Sequence, residues 1–114
     1  MSEKSTALRR ITRRDADIAE IGRHYAVSNN AAAILWAVAR AWGKDPYFRP
    51  GDSIPWAAKS REDWYRECNL TRHRWDTVAA QLEALGLVER ARGLRGVTVA
   101  LVRPGAVIRP QEAQ

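Results

Sequence analysis

Only one cysteine, three lysines and two histidines occur among the 114 residues, and each scarcity closes off a class of function. A single thiol, Cys68, excludes an internal disulfide and any cysteine cluster for a metal. His24 and His73 lie far apart, and Cys68 is separated from His73 by a turn at a spacing poorly suited to shared ligation, so no metal site is expected. No apolar run approaches the roughly 20 residues that cross a bilayer. The start of the chain, Met1 to Ser5, lacks the apolar stretch of a secretory signal. No glycine-rich phosphate loop, no pair of carboxylates on an apolar face and no Ser/His/Asp set stands out. The expectation is therefore a non-enzymatic cytoplasmic protein with no cofactor and no membrane partner. The sequence also lacks internal repeats and low-complexity segments.

The remaining composition is that of one folded domain, 46% hydrophobic and 28% charged. Nineteen Lys+Arg oppose thirteen Asp+Glu, a formal charge of +6. Lys4, Lys44 and Lys59 are the only lysines, so the excess is arginine, whose planar fork of donors matches phosphate oxygens and base edges. Alternatively, these arginines are merely solvated charge, and their positions must decide. Trp36, Trp42, Trp56, Trp64 and Trp75 have the helical spacing of core residues rather than that of a base-stacking platform. Trp56, beside a loop, is the one whose exposure matters most.

Residues 1–14 carry the pairs Arg9-Arg10 and Arg13-Arg14 and read as a flexible basic arm. From Asp15, Ile18, Ile21 and Tyr25 recur at helical spacing, predicting a short helix over 15–25. Ser28 offers an N-cap for an almost wholly apolar helix over 31–42, stopped by Gly43 and buried on most sides. A second helix-turn-helix reading of 21–35 gives that apolar helix nothing to offer base edges, so it is assigned a structural role. Residues 43–55 hold three prolines and two glycines and read as a loop, with a very short edge strand over 54–56. Ser60-Arg61-Glu62-Asp63 resembles a capping box that starts a short helix ending near Cys68. A tight turn at 69–71 leads to Thr71, which caps a helix burying Trp75, Val78, Ala79, Leu82 and Leu85, with Gly86 as its left-handed terminus. The period then changes to two. Residues 87–90 and 97–102 read as strands of a hairpin with a loop at 91–96, followed by a frayed tail from Pro104.

Short helix, turn, longer helix and arginine-bearing hairpin is the order of a winged helix-turn-helix, and Ser60 to Val102 resembles that family. Ser60 to Trp75 is similar to its helix-turn-recognition-helix part. Leu82-Glu83-Ala84-Leu85-Gly86-Leu87-Val88-Glu89 is similar to the helix end leading into the wing. Within that family the segment resembles small domains of phage and plasmid replication proteins and one-domain bacterial regulators, and Trp56 before the Ser-Arg-Glu segment fits that resemblance. The implied fold is mainly α with a small β-hairpin (α+β): an arm at 1–14, a winged-helix domain at 15–103 and a tail at 104–114.

The resemblance implies a second helix lying in the major groove, where base pairs present distinguishable donors and acceptors. With Trp75, Val78, Ala79 and Leu82 facing inward, Arg72, His73, Asp76, Thr77 and Ala80 face outward, with Arg74 on the flank and Gln81 further along. Arg72 is suited to guanine or phosphate, and His73 and Thr77 to bases or phosphate. Asp76 suits a cytosine amino group or an intrahelical pair with Arg72. Thr71 and the first helical turn offer backbone amides to phosphate. Arg90, Arg92 and Arg95 of the hairpin, and Arg9, Arg10, Arg13 and Arg14 of the arm, are expected on backbone or minor groove. About six phosphate contacts would give a log–log salt slope of about −5.

The leading expectation is thus a sequence-specific double-stranded DNA-binding protein, a transcriptional regulator or replication-linked factor, dimerising through residues 15–42. The alternative is a winged helix that binds a protein, such as a phage-encoded inhibitor or a subunit of a nucleoprotein complex. That version predicts a face broken by Asp76, Glu83 and Glu89, with an apolar patch elsewhere. Non-specific architectural DNA binding, with affinity but no sequence preference, is a third possibility.

Overall fold

The structure, a computed structural model, describes residues 3–92 and 99–108. Its architecture is α+β: four helices and a four-stranded antiparallel sheet. In chain order these are α1 (Glu3–Tyr25), α2 (Asn29–Lys44), β1 (Pro46–Tyr47), β2 (Trp56–Ser60), α3 (Arg61–Cys68), α4 (Arg72–Ala84), β3 (Val88–Arg92) and β4 (Val99–Pro104). The strand order is β1-β2-β4-β3, so the hairpin of β3 and β4 is joined to the body through β2.

α2 is the centre. Ala31, Ile34, Leu35, Ala37 and Val38 bury against Trp64 and Cys68 of α3, Trp75, Val78, Ala79 and Leu82 of α4, and Val88 and Val102 of the sheet. Its small alanines let neighbours approach closely, so the helix is enclosed over residues 31–38, while Ala39, Arg40, Gly43 and Lys44 towards its end are exposed. Ile18 of α1 packs on Ala32 and Ala33. Trp64 is fully buried, and its indole N–H donates to the Ala100 carbonyl at 3.1 Å, pinning α3 to β4. Trp42 likewise donates to the Pro55 carbonyl at 2.8 Å, tying α2 to the loop before β2.

The helix starts follow side-chain capping. Ser28, Ser60 and Thr71 each accept a hydrogen bond from the backbone N–H three residues on, satisfying a donor the helix leaves open. α3 stops at Asn69, which takes the left-handed conformation (φ 57°). α4 ends in the paired bonds Leu87 N–H to Leu82 O and Gly86 N–H to Glu83 O, both 3.0 Å, with Gly86 at φ +78° as expected.

Several boundaries differ from the sequence reading. The stretch read as a loose arm is helical from Glu3, because it contains no glycine or proline and consists largely of helix formers continuous with α1. Gly43 does not stop α2; the helix runs to Lys44, and Asp45 N–H closes on Ala41 O just before Pro46. An interior glycine costs a helix only about 1 kcal/mol, less than a following proline. The strand expected at 54–56 runs 56–60 and is interior, with Pro46–Tyr47 taking the edge. The hairpin strands are shifted towards 88–92 and 99–104, so Ala91 and Arg92 belong to β3 rather than to the loop. Pro104 closes β4 rather than opening a frayed tail: Gly105 N–H donates to Leu87 O at 2.9 Å and Ile108 packs on the core. Among the described residues no helix is long and apolar enough to cross a membrane.

Candidate nucleic-acid interface

α4 divides cleanly. Trp75, Val78, Ala79 and Leu82 are buried; Arg72, His73, Arg74, Asp76, Thr77, Ala80 and Gln81 are exposed. Leu85, expected on the inner face, is exposed, because it lies beyond the last helical residue where the chain turns away. Thr71 caps the helix, so the backbone amides that follow point out of its N-terminal end beside Arg72, His73 and Arg74. Among the described residues Arg72 and Arg74 form no ion pair. The expected Arg72–Asp76 pair is not formed, which leaves an exposed guanidinium and an exposed carboxylate one turn apart.

Other predicted cations are engaged. Arg90, which sits on β3, donates from Nε and Nη2 to Glu83 Oε1 of α4 at 3.1 and 3.0 Å, so it ties hairpin to helix rather than reaching outward. Arg14 donates to the Glu67 carbonyl of α3 at 2.9 Å and lies 4.8 Å over the Trp36 ring, stapling α1 to α2 and α3. Arg95 lies outside the described residues, as do the side chains of Arg9, Arg10, Arg13 and Arg92.

The acids that were to distinguish a DNA face from a protein-binding face sort themselves. Glu83 is answered by Arg90, and Glu89 by Arg103 at 2.8 Å. Of the three, only Asp76 has no ion-pair partner among the described residues. Sequence reasoning missed Arg61 and Tyr65 on α3, which join the same surface. Arg61, Tyr65 and Asp76 line one cleft, and the Tyr65 hydroxyl has its pKa raised by burial and then by the Asp76 carboxylate. The signal was present in the four-residue spacing from Arg61 to Tyr65 on the short helix preceding the turn.

Three further clusters are structural. Trp56 is buried, with Arg103 at 3.9 Å and Arg49 at 4.9 Å from its ring, while its indole N–H and Arg49 Nε both donate to Asp52, each at 2.7 Å. Those bonds, Arg49 first, hold the Asp52 carboxyl below its ordinary pKa. Lys59 pairs with Glu67 beside Trp64, and burial lowers its pKa. Burial pushes the Cys68 thiol up to about 11, and the buried Trp75 indole N–H near it has no hydrogen-bond partner among the described residues. Among the described residues no group of three or more His, Cys, Asp or Glu is placed to hold a metal. No protein-family model, no curated protein and no solved structure matches this chain.

Proposed function

We propose that the protein is a winged-helix, sequence-recognising double-stranded DNA-binding protein, acting as a transcriptional regulator or a replication-linked factor. The observation that carries this reading is the outward face of α4. Arg72, His73, Arg74, Thr77 and Gln81 are all exposed donors on a thirteen-residue helix whose opposite face is core. Such a rod, about 20 Å long, fits the roughly 12 Å width of a major groove. The order α2, α3, turn, α4, hairpin supports the reading, as does the neutralisation of Glu83 and Glu89 by hairpin arginines. Arg72 then makes the base-directed contact, and Arg61, Arg74 and the first amides of α4 take phosphates.

Two-fold pairing through residues 15–42 belongs to this reading, since half-sites are read by dimers. It is supported by an open groove of about 390 Å³ lined by Ile21, His24, Tyr25, Trp36 and the acids Asp17 and Glu20. A protein-binding winged helix is favoured by one observation, the exposed apolar pair Leu85 and Val107, 59% and 67% accessible, beside Gly86. Selection of bound duplexes from a random pool at about 150 mM salt separates the two. A convergent motif is expected, with Arg72→Ala losing about 1–3 kcal/mol on that motif and far less on random DNA. A pool that yields no motif, or equal loss on both DNAs, overturns the base-reading role.

A further inference from the structure

Between the outer flank of α4 and the β3–β4 hairpin lies a cleft of about 410 Å³, within the size range of small-molecule sites. Tyr65, Trp64 and Trp75 supply its aromatic wall, with the Tyr65 ring set edge-on to Trp75 at 5.8 Å. Trp64 and Trp75 are almost wholly buried, so the half-buried Tyr65 is the accessible ring. Arg61, Asp76, Glu83 and Arg90 stand around it. Glu83 and Arg90 satisfy each other. Asp76 has no ion-pair partner among the described residues.

Among the described residues two acids and two arginines balance around the cleft, so local contacts rather than net field select its ligand. An unanswered carboxylate beside an aromatic ring is the chemistry that holds an organic ammonium ion, through a charge-assisted hydrogen bond and attraction to the ring. The same carboxylate, facing a phosphate backbone, is repulsive when left bare. We propose that this cleft is an effector site for a small aromatic amine, its ammonium on Asp76 and its ring against Tyr65, and that filling it strengthens DNA binding. The coupling rests on the DNA-binding reading; the site does not. An ammonium on Asp76 removes one negative charge from the surface that must approach phosphate. By linkage the DNA must then tighten the amine by the same factor.

The test is calorimetric titration of the full chain, without DNA, with phenethylamine and with 3-phenylpropionate as its anionic counterpart. Saturable amine binding is expected with a Kd between about 10 µM and 1 mM, and none for the acid. Asp76→Asn, an exposed and nearly isosteric change, should weaken the amine at least about tenfold. Asp45→Asn, the same charge change at the exposed C-terminal end of α2, should leave it unaltered. Saturating phenethylamine should tighten the selected duplex by about fivefold in the wild type and not in Asp76→Asn. No saturable binding by about 10 mM amine, equal binding by Asp76→Asn, or equal binding of the acid overturns the site. Amine binding with unchanged DNA affinity overturns the coupling alone, and a pool without a motif overturns the DNA reading while leaving the amine titration decisive.

Discussion

Replacing arginines one at a time and reading the salt dependence of DNA binding tests which of them meet phosphate. Among the arginines with described side chains, Arg14, Arg49, Arg66, Arg90 and Arg103 are held by oxygen acceptors within the protein. Arg61, Arg72 and Arg74 are exposed at the candidate interface without an ion pair. Each phosphate contact contributes about −0.9 to the slope of log K against log salt, or roughly 3.5-fold in affinity between about 50 and 200 mM. Arg72→Gln and Arg74→Gln together should therefore flatten the slope by about 1.8 if both meet phosphate, and by about 0.9 if Arg72 reads a base. Arg90→Gln should leave the slope unchanged and cost only about 0.2–1 kcal/mol of stability, the value of a partly exposed pair. Fluorescence anisotropy of a labelled duplex across that salt range gives the slopes, and urea unfolding gives the stabilities. An Arg90→Gln slope as flat as that of Arg74→Gln would mean that the Glu83 pair opens on DNA, and the division into structural and binding arginines would be wrong. A double variant with the wild-type slope would remove α4 from the interface.

Two predictions concern the frame that holds this surface. Gly105→Ala should destabilise by about 3 kcal/mol or more, because a Cβ there would overlap the Gly86 carbonyl oxygen and lie 2.6 Å from its carbon, all unyielding backbone; a loss under about 1 kcal/mol in urea unfolding would refute the close approach. Asp52 has its pKa lowered in the folded state by Arg49 and then Trp56, so its contribution is present above the unfolded carboxylate value of about 3.9 and lost as pH falls through the folded value. Asp52→Asn should accordingly reduce the loss of stability between about pH 4 and pH 2, and an acid limb identical to wild type would show that the Arg49–Asp52–Trp56 cluster does not couple to folding.

The elements easiest to read were those specified by a residue's own backbone chemistry. Ser28, Ser60 and Thr71 mark helix starts because a hydroxyl satisfies an open amide. Gly86 marks an end because the chain there takes the left-handed conformation, φ +78°, which L side chains rarely adopt. The inner face of α4 followed from spacing alone for Trp75, Val78, Ala79 and Leu82. Partners decided by tertiary contact were not legible. Nothing local in Pro46-Tyr47 or in the residues around Trp56 announces that β2 will be flanked by β1 on one side and β4 on the other. Nothing in Gly105 announces that it must pass against Gly86, because that contact depends on where β4 ends relative to α4.

The arginines gave the largest discrepancy, for a physical reason. Net charge counts cations without asking which oxygen each one faces, and a cation already bonded to a protein carbonyl or carboxylate adds little to the release of counterions from DNA. Four of these side chains also do the work of apolar residues: Arg14 and Arg40 flank Trp36 at 4.8 and 4.9 Å, while Arg49 and Arg103 flank Trp56. A guanidinium is weakly hydrated and flat, so it can cover an indole face while its edge keeps its hydrogen bonds. An arginine-for-lysine bias then has a structural cause beside the proposed recognition. A compact ammonium at position 103 could not stack on Trp56 and also bond both Glu89 and the Ile54 carbonyl in a planar fork. The composition that suggested nucleic acid is thus partly consumed in holding two tryptophans, and the proposed recognition is left to the few arginines at the N-terminal ends of α3 and α4.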